Sequence, residues 1–97
     1  MDKHRILKAL SNPARLEIMA WLKKPEEHFP TQELPPEMGV CANQFQRSGL
    51  SQSTVSSHLG VLQRADRVTT HRVGQWVFYR RNEKTIAEFV ACLQKEL

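Results

Sequence analysis

Residues 50–64, with the sequence LSQSTVSSHLGVLQR, constrain the fold of this chain more than any other segment. Val55, Leu59 and Leu62 fall at positions i, i+4 and i+7, which is the spacing of one buried stripe on an α-helix. The same segment contains four serines, a threonine and an interior glycine, all of them inferior helix formers. The spacing therefore predicts a helix that packs through one apolar stripe and presents small polar groups on its other face.

The residues ahead of this helix predict the first half of a helix-turn-helix. VCANQFQRS, residues 40–48, can form one or two extended residues and then a short helix that ends at Gly49. Gly49 would lie in a tight turn, and Ser51 would cap the N-terminus of the serine-rich helix. Two short helices joined by a glycine-containing turn form a helix-turn-helix.

The residues after the helix predict a β-hairpin and a final helix. RVTTHRV and QWVFYRR, residues 67–73 and 75–81, flank Gly74 and are rich in β-branched and aromatic residues. Asn82 then caps a last helix, one side of which carries Ile86, Phe89, Val90, Leu93 and Leu97. The expected fold class is therefore a winged helix-turn-helix, mainly α with a small β-hairpin.

The N-terminal part of the chain predicts two more helices and a long loop. The first helix is amphipathic through Ile6, Leu7 and Leu10. Asn12 as N-cap and Pro13 at the first helical position begin the second helix, which must end by Pro25. Residues 24–39 contain four of the five prolines and predict a long acidic loop with little regular structure. Long loops in small domains are often functional or mobile, but this one shows no recognisable chemistry.

Positive charge is concentrated in one third of the sequence. Residues 51–82 contain five arginines against one aspartate, whereas the rest of the chain contains nine lysines or arginines against nine acidic residues. The five are Arg64, Arg67, Arg72, Arg80 and Arg81. This concentration favours a polyanionic partner such as nucleic acid, with solvated surface arginines as the alternative.

The polar face of the serine-rich helix suits the major groove of DNA. It carries Ser53, Ser57, Gly60 and Arg64, flanked by Gln52, Ser56 and Thr54. Bulky side chains would hold a helix away from base edges, whereas hydroxyls donate or accept and glutamine pairs with adenine. Gly60 costs about 1 kcal/mol relative to alanine, which close approach to another surface or to a neighbouring helix would justify. Serines that are merely solvated are the alternative, but the turn, the hairpin and the charge favour DNA.

Three segments together resemble the ArsR/SmtB family of small dimeric bacterial transcriptional repressors. They are SNPARLEIMAWL, LSQSTVSSHLGVLQRADRV and RVGQWVFYRR, and the resemblance runs over nearly the whole chain. Its most specific part is residues 50–68, where the pattern S-Q-S-T-V-S-x-H-L meets the hairpin. The resemblance implies a recognition helix at about 51–64 and a wing at about 67–81, with its tip around 72–75. The proline-rich loop departs from the family pattern.

The resemblance also implies a homodimer that binds double-stranded DNA at an inverted repeat and represses transcription by occupying a promoter. The first and last helices would form the dimer through Ile6, Leu7, Leu10, Ile86, Phe89, Val90 and Leu93. We expect base or groove contacts from Gln52, Ser53, Thr54, Ser56 and Ser57. Arg72 and Gln75 on the wing, with Arg64 as a further candidate, would hold phosphates or reach the minor groove. The sequence identifies no inducer.

Metal sensing, common in this family, lacks its ligands here. The two cysteines of a Cys-Val-Cys site would fall at Val40 and Ala42, with Cys41 alone between them. The final helix contains no histidine, and the four histidines show no paired spacing, so we expect no metal and no cofactor. We expect His58, beside the apolar stripe, to pack rather than to bind a ligand.

A thiol-responsive repressor that switches at Cys41 is an alternative. Cys41 lies near a predicted helix N-terminus, where the macrodipole favours a thiolate. The competing interpretation is a small buried hydrophobic residue. Cys92 lies in the apolar register of the final helix and is interpreted as packing.

The sequence does not favour an enzyme or a membrane protein. It contains no glycine-rich phosphate loop, nucleophile elbow or convincing acid–base pair. Its longest apolar runs, IMAWL and FVACL, are too short to cross a membrane, and MDKHR does not begin a signal peptide. We expect a cytoplasmic protein of one domain, residues 1–97. A winged helix used for protein interaction without DNA is the remaining alternative.

Overall fold

Helices dominate the fold, and a small antiparallel sheet lies against them. The computed structural model describes residues 1–28 and 39–97. In chain order these ranges contain α1 (Lys3–Leu10), α2 (Pro13–Lys23), α3 (Pro25–His28), β1 (Val40–Cys41), a 3₁₀ helix (Ala42–Ser48), α4 (Gln52–Arg64), β2 (Val68–Val73), β3 (Trp76–Arg81) and α5 (Glu83–Glu96). The predicted fold class, a winged helix-turn-helix, is confirmed.

The longer helices begin at the side-chain caps that the sequence predicts. The Asn12 carboxamide oxygen accepts hydrogen bonds from the backbone N–H groups of Ala14 and Arg15 at 2.9 and 3.2 Å. Ser51 and Asn82 cap α4 and α5 in the same way. These acceptors satisfy backbone donors that have no partner within the helix, so they set where each helix starts.

The sheet has three strands in the order β1-β3-β2. Strands β2 and β3 form the predicted hairpin, in which Val73 pairs with Trp76 across a two-residue turn. Strand β1 pairs with the other side of β3, where Val40 is opposite Tyr79 and Cys41 is opposite Phe78. The sequence predicts the extended residues of β1 but not their pairing, because two residues carry no alternation that could indicate a partner.

Gly39 allows the chain to enter β1 against the backbone of β3. Its φ is 98°, in the left-handed region, and a Cβ atom there would lie 2.6 Å from the Tyr79 carbonyl oxygen. A glycine avoids both the unfavourable dihedral and the clash. The closeness of the two strands therefore depends on the absence of a side chain at this position.

The first helix of the helix-turn-helix is a 3₁₀ helix rather than an α-helix. Its anchor is Phe45, which is 0% exposed and meets Tyr79 edge-to-face with ring centroids 6.4 Å apart. The predicted irregular loop also differs at its start, because Pro25–His28 forms one α-helical turn. The rest of the proline-rich segment, residues 29–38, lies outside the described residues.

The predicted apolar stripe of α4 is confirmed as the centre of the core. Val55, Leu59 and Leu62 are 4%, 1% and 0% exposed. They pack with residues of α2 and the sheet region, namely Ile18, Met19, Leu22, Val40, Phe45 and Val68. Burying each aliphatic side chain contributes about 1.5–3 kcal/mol, so this stripe fixes which face of α4 points outwards.

The C-terminal end of α4 is closed by a Schellman motif. The Asp66 N–H donates to the Gln63 carbonyl at 3.0 Å, and the Arg67 N–H donates to the Leu62 carbonyl at 2.9 Å. Asp66 takes the left-handed conformation, with φ of 59°, that this motif requires. The chain therefore reverses sharply after α4 and enters β2 directly.

The side chain of Arg67 is buried at this reversal and joins α4 to α5. It is 3% exposed, and its Nε donates to the Ala65 carbonyl at 2.8 Å while Nη1 donates to the Thr85 carbonyl at 3.1 Å. Its guanidinium lies 5.6 Å from the centroid of the Phe89 ring, within cation–π range. Arg67 therefore belongs to the interior and adds nothing to the cationic surface counted from the sequence.

We predict that Gly39→Ala lowers the free energy of unfolding by at least about 2 kcal/mol. The left-handed backbone costs an L-residue roughly 1–2 kcal/mol, and the clash with Tyr79 adds about 1–3 kcal/mol. Gly74→Ala is the matched control, since Gly74 has φ of 60° but no atom of the described residues within 4 Å of its Cβ position. Urea denaturation followed by circular dichroism measures both. Equal losses would mean that the contact with β3 does not constrain position 39.

Candidate nucleic-acid interface

The polar residues predicted to contact DNA lie together on the N-terminal half of α4. Gln52, Ser53, Thr54, Ser56 and Ser57 are all exposed, whereas Val55 between them is buried. We call these five residues the hydroxyl face. Because the apolar stripe holds the opposite side of α4 in the core, the hydroxyl face is a surface with a fixed orientation.

Ser51 organises two hydroxyls of this face. Its Oγ accepts a hydrogen bond from the Thr54 N–H at 3.2 Å and donates to Thr54 Oγ1 at 2.8 Å. The Ser53 Oγ lies 3.2 Å from the Ser51 Oγ. The sequence predicts Ser51 as a helix cap only; its role in positioning neighbouring hydroxyls depends on side-chain rotamers, which the sequence pattern does not specify.

Two members of the hydroxyl face border a small cleft. Gln52 and Ser56 line a cavity of about 60 Å³ together with Ala42 and Tyr79. The cleft lies between α4, the 3₁₀ helix and β3. The start of the 3₁₀ helix and strand β3 therefore lie next to Gln52 and Ser56 of the hydroxyl face.

Arg64 lies at the other end of α4 and folds back over Gly60. A Cβ atom on Gly60 would come within 3.2 Å of Arg64 Nη1. The space that the missing side chain leaves is thus taken by a guanidinium of the same helix. This explains the glycine differently from the sequence interpretation, in which Gly60 served the approach of another surface or of a neighbouring helix.

The hairpin of β2 and β3, the wing, presents Arg72 and Gln75 to solvent. Both are exposed; Arg72 pairs with Val77 one step from the turn, and Gln75 lies in the turn itself. Trp76 beside them is 49% exposed, although a large aromatic ring gains most from burial. Sequence reasoning did not single it out; its place next to Gly74 and Gln75 was the available signal.

The five arginines of residues 51–82 lie in different environments. Arg67 is buried, and burial lowers the pKa of its guanidinium while the charges of Asp66 and Glu88 oppose that shift. Arg81 pairs with the Glu83 carboxylate at 2.5 Å. The exposed arginines are Arg64, Arg72 and Arg80. The cationic surface is therefore smaller than the sequence count and is weighted towards the wing and the end of α4.

Comparison with known proteins identifies the family of the chain. No protein-family model matches it. The uncharacterized HTH-type transcriptional regulator YbzH of Bacillus subtilis (strain 168) is 36% identical over 100 residues, which span 100% of both chains. The chain belongs to the HTH-type transcriptional regulators.

Two further comparisons agree with this assignment. The biofilm growth-associated repressor of Xylella fastidiosa (strain 9a5c) is 35% identical to this chain over 88 residues, which cover 91% of this chain and 67% of the repressor. HlyU from Vibrio cholerae N16961 is 27% identical and superposes with a TM-score of 0.65, covering 98% of this chain and 96% of that one. The relatives are transcriptional regulators and repressors rather than enzymes.

The cysteines of the regulator occupy different environments. Cys41 is 8% exposed and lies in β1 opposite Phe78. Cys92 on α5 is half-buried. Reactive thiols lie in accessible, electropositive surroundings, so the burial of Cys41 favours the packing interpretation over the thiol switch.

His58 contacts a neighbouring helix rather than standing apart. Its Nδ1 lies 3.2 Å from Nη1 of Arg15 on α2. In residues 1–28 and 39–97, no group of three or more histidine, cysteine or acidic side chains is placed to hold a metal ion. The helices of the same described ranges are all too short or too polar to cross a membrane.

The residues predicted to form a dimer interface divide into three groups. Ile6 and Phe89 are 3% and 5% exposed, so both are buried within the chain itself. Little of either side chain is left for a partner to cover, so their assignment to an interface stays a prediction. Leu10, Ile86 and Leu93 are half-buried. Leu7 and Val90 are 46% and 47% exposed and remain available for contact.

We predict that Ser51→Ala lowers the free energy of unfolding by about 1 kcal/mol, because α4 loses its N-terminal acceptor. Ser51→Asn should retain stability, since asparagine caps a helix as well as serine does. Thermal and urea unfolding of the three proteins measure the difference. A loss as large for asparagine as for alanine would show that capping is not what Ser51 contributes.

Proposed function

We propose that this regulator is an ArsR/SmtB-type repressor that binds duplex DNA as a homodimer at an inverted-repeat operator. The observation that carries the proposal is the hydroxyl face, held outwards by a buried apolar stripe, in a chain that also has an exposed wing. Relatives that are named as regulators and a repressor support the same conclusion.

The hydroxyl face has the chemistry of base recognition. Hydroxyl groups donate or accept hydrogen bonds at base edges, and the carboxamide of Gln52 matches the two-point pattern of adenine in the major groove. The N-terminus of α4 adds a partial positive charge that favours phosphate groups nearby. In this proposal Ser53, Thr54, Ser56 and Ser57 contact base edges or the groove.

The wing has the chemistry of backbone contact. Arg72 is exposed, and its guanidinium group suits a phosphate or the narrow minor groove. Gln75 in the turn can add a hydrogen bond to the sugar–phosphate backbone. Such contacts position the protein and carry little sequence information.

The proposed dimer uses α1 and α5. Lys3 and Glu96 form an exposed ion pair at 2.5 Å, so the start of α1 and the end of α5 lie near each other. The exposed apolar side chains of Leu7 and Val90 lie on these helices and lack a cover within the described residues. A two-fold dimer repeats the hydroxyl face in the opposite orientation, which is what an inverted repeat requires.

We predict that Ser53→Ala and Arg72→Ala weaken DNA binding in different ways. Ser53→Ala should change the preference among operator variants by about 1 kcal/mol at one base pair and leave non-specific binding nearly intact. Arg72→Ala should weaken binding to all sequences alike and lower the salt slope by about one per subunit. The operator is first selected from a random DNA pool, and both variants are then titrated against it and a scrambled duplex at several salt concentrations.

Identical profiles for the two variants would contradict a reading role for α4. Absence of salt-sensitive retention of the unmodified regulator on random duplex DNA would go further. It would favour a winged helix that binds protein only.

We predict that Val90→Glu converts the regulator to a monomer at micromolar concentration and abolishes high-affinity operator binding. A buried, unpaired carboxylate in an apolar interface is strongly unfavourable. Ala91→Glu is the matched control, because Ala91 is exposed on the same helix outside the apolar side. Sedimentation velocity gives the assembly state. A monomeric unmodified regulator, or equal dissociation by both variants, would contradict the proposed interface.

A further inference from the structure

A groove between α1 and the C-terminal half of α4 carries four cationic side chains in its lining. Its volume is about 560 Å³, within the usual range of small-molecule sites, roughly 300–1,000 Å³. Arg5 and Lys8 come from α1, Arg15 from α2 and Arg64 from α4. Three separate helices thus direct positive charge into one space.

Inside the groove one carboxylate faces these cations, and Asp66 and Glu88 share a neighbouring cavity with Arg5 and Arg64. Asp2 is the carboxylate that lines the groove, and it already accepts a hydrogen bond from the Arg5 backbone N–H at 3.1 Å as the cap of α1. In the described part of the chain, the side chains of Arg5, Lys8 and Arg64 pair with no carboxylate. Facing cations without a counterion repel one another, and a bound anion would remove that repulsion.

One of the arginines, Arg15, is held in place before any ligand binds. Arg15 donates to the Ala9 carbonyl at 2.5 Å and also contacts His58, so it forms a fixed wall of the groove. Arg64 lies against Gly60, where the missing side chain leaves room for its guanidinium. Side chains that are already ordered lose less conformational entropy when they bind.

The groove lies apart from the hydroxyl face and from Leu7, although it shares Arg64 with the cationic surface described above. Successive residues of an α-helix are about 100° apart, so Arg5 and Leu7 are separated by about 160° around α1. On the side of Arg5, a dimer formed through Leu7 therefore leaves the groove open, while Lys8 lies about 100° from Leu7 around α1. Arg64 lies about 17 Å along α4 from Ser53, at a rise of about 1.5 Å per residue.

We propose that this groove binds a small multivalent anion, a phosphorylated or polycarboxylate metabolite, through Arg5, Lys8 and Arg64. Guanidinium groups bind phosphate and carboxylate oxygens in pairs, and the lysine ammonium adds a point charge. Arg64 belongs to the helix that carries the hydroxyl face. If the proposed function holds, the anion is therefore an effector that acts on DNA binding through α4.

The test titrates the full chain with inorganic pyrophosphate and with citrate, in the absence of DNA. Isothermal titration calorimetry gives the affinity, and amide chemical shifts locate the site. The double variant Arg5→Gln/Lys8→Gln should bind at least about tenfold more weakly, because charge-assisted hydrogen bonds are lost. Lys23→Gln/Lys24→Gln, at the exposed end of α2, removes the same charge elsewhere and should bind like the unmodified protein. The relative strength of the two probes distinguishes phosphate from carboxylate ligands.

Saturable binding that is lost in the groove variant and retained in the control supports the proposal. Unsaturable binding, or equal loss in both double variants, overturns it and indicates general attraction to a basic protein. Failure of the unmodified protein to bind either anion also overturns it; if the groove variant then loses duplex DNA binding in a separate titration, the groove is a phosphate contact for DNA. The titration contains no DNA, so its failure is independent of any failure of the operator experiments.

Discussion

The buried guanidinium of Arg67 holds together the junction on which the rest of the structure depends. A desolvated cation is costly, and here the hydrogen bonds to the Ala65 and Thr85 carbonyls and the face of Phe89 offset that cost. The Arg67 carbonyl in turn accepts from the Asn82 N–H at 3.0 Å, at the start of α5. One residue therefore ties the end of α4, the entry to the wing and the last helix to one another.

This junction and the Ser51 cap fix α4 at both ends, while the apolar stripe fixes its rotation. A helix restrained in this way presents the hydroxyl face without further ordering, which reduces the entropy cost of binding. The opposite end of the same helix borders the cationic groove. The geometry thus gives α4 one surface suited to base edges and another suited to small anions, separated along a rigid axis.

The sequence predicted most of the fold because the relevant signals are local. The spacing of Val55, Leu59 and Leu62 identified α4, and the caps at Asn12, Ser51 and Asn82 identified where helices begin. The exposure of the hydroxyl face followed from the same periodicity. Prediction failed where a partner distant in sequence decides the outcome: the pairing of β1 with β3, and the burial of the Arg67 side chain.

What the sequence by itself determined is the order of the elements and the face that each helix turns outwards, since periodicity, caps and turns act over a few residues. What only the tertiary structure decided is the environment of each charge. An arginine is written identically whether it is buried like Arg67, paired like Arg81 or turned into a groove like Arg64. Burial and pairing depend on which distant backbone carbonyls, aromatic rings and carboxylates the fold brings near, and no local pattern encodes that.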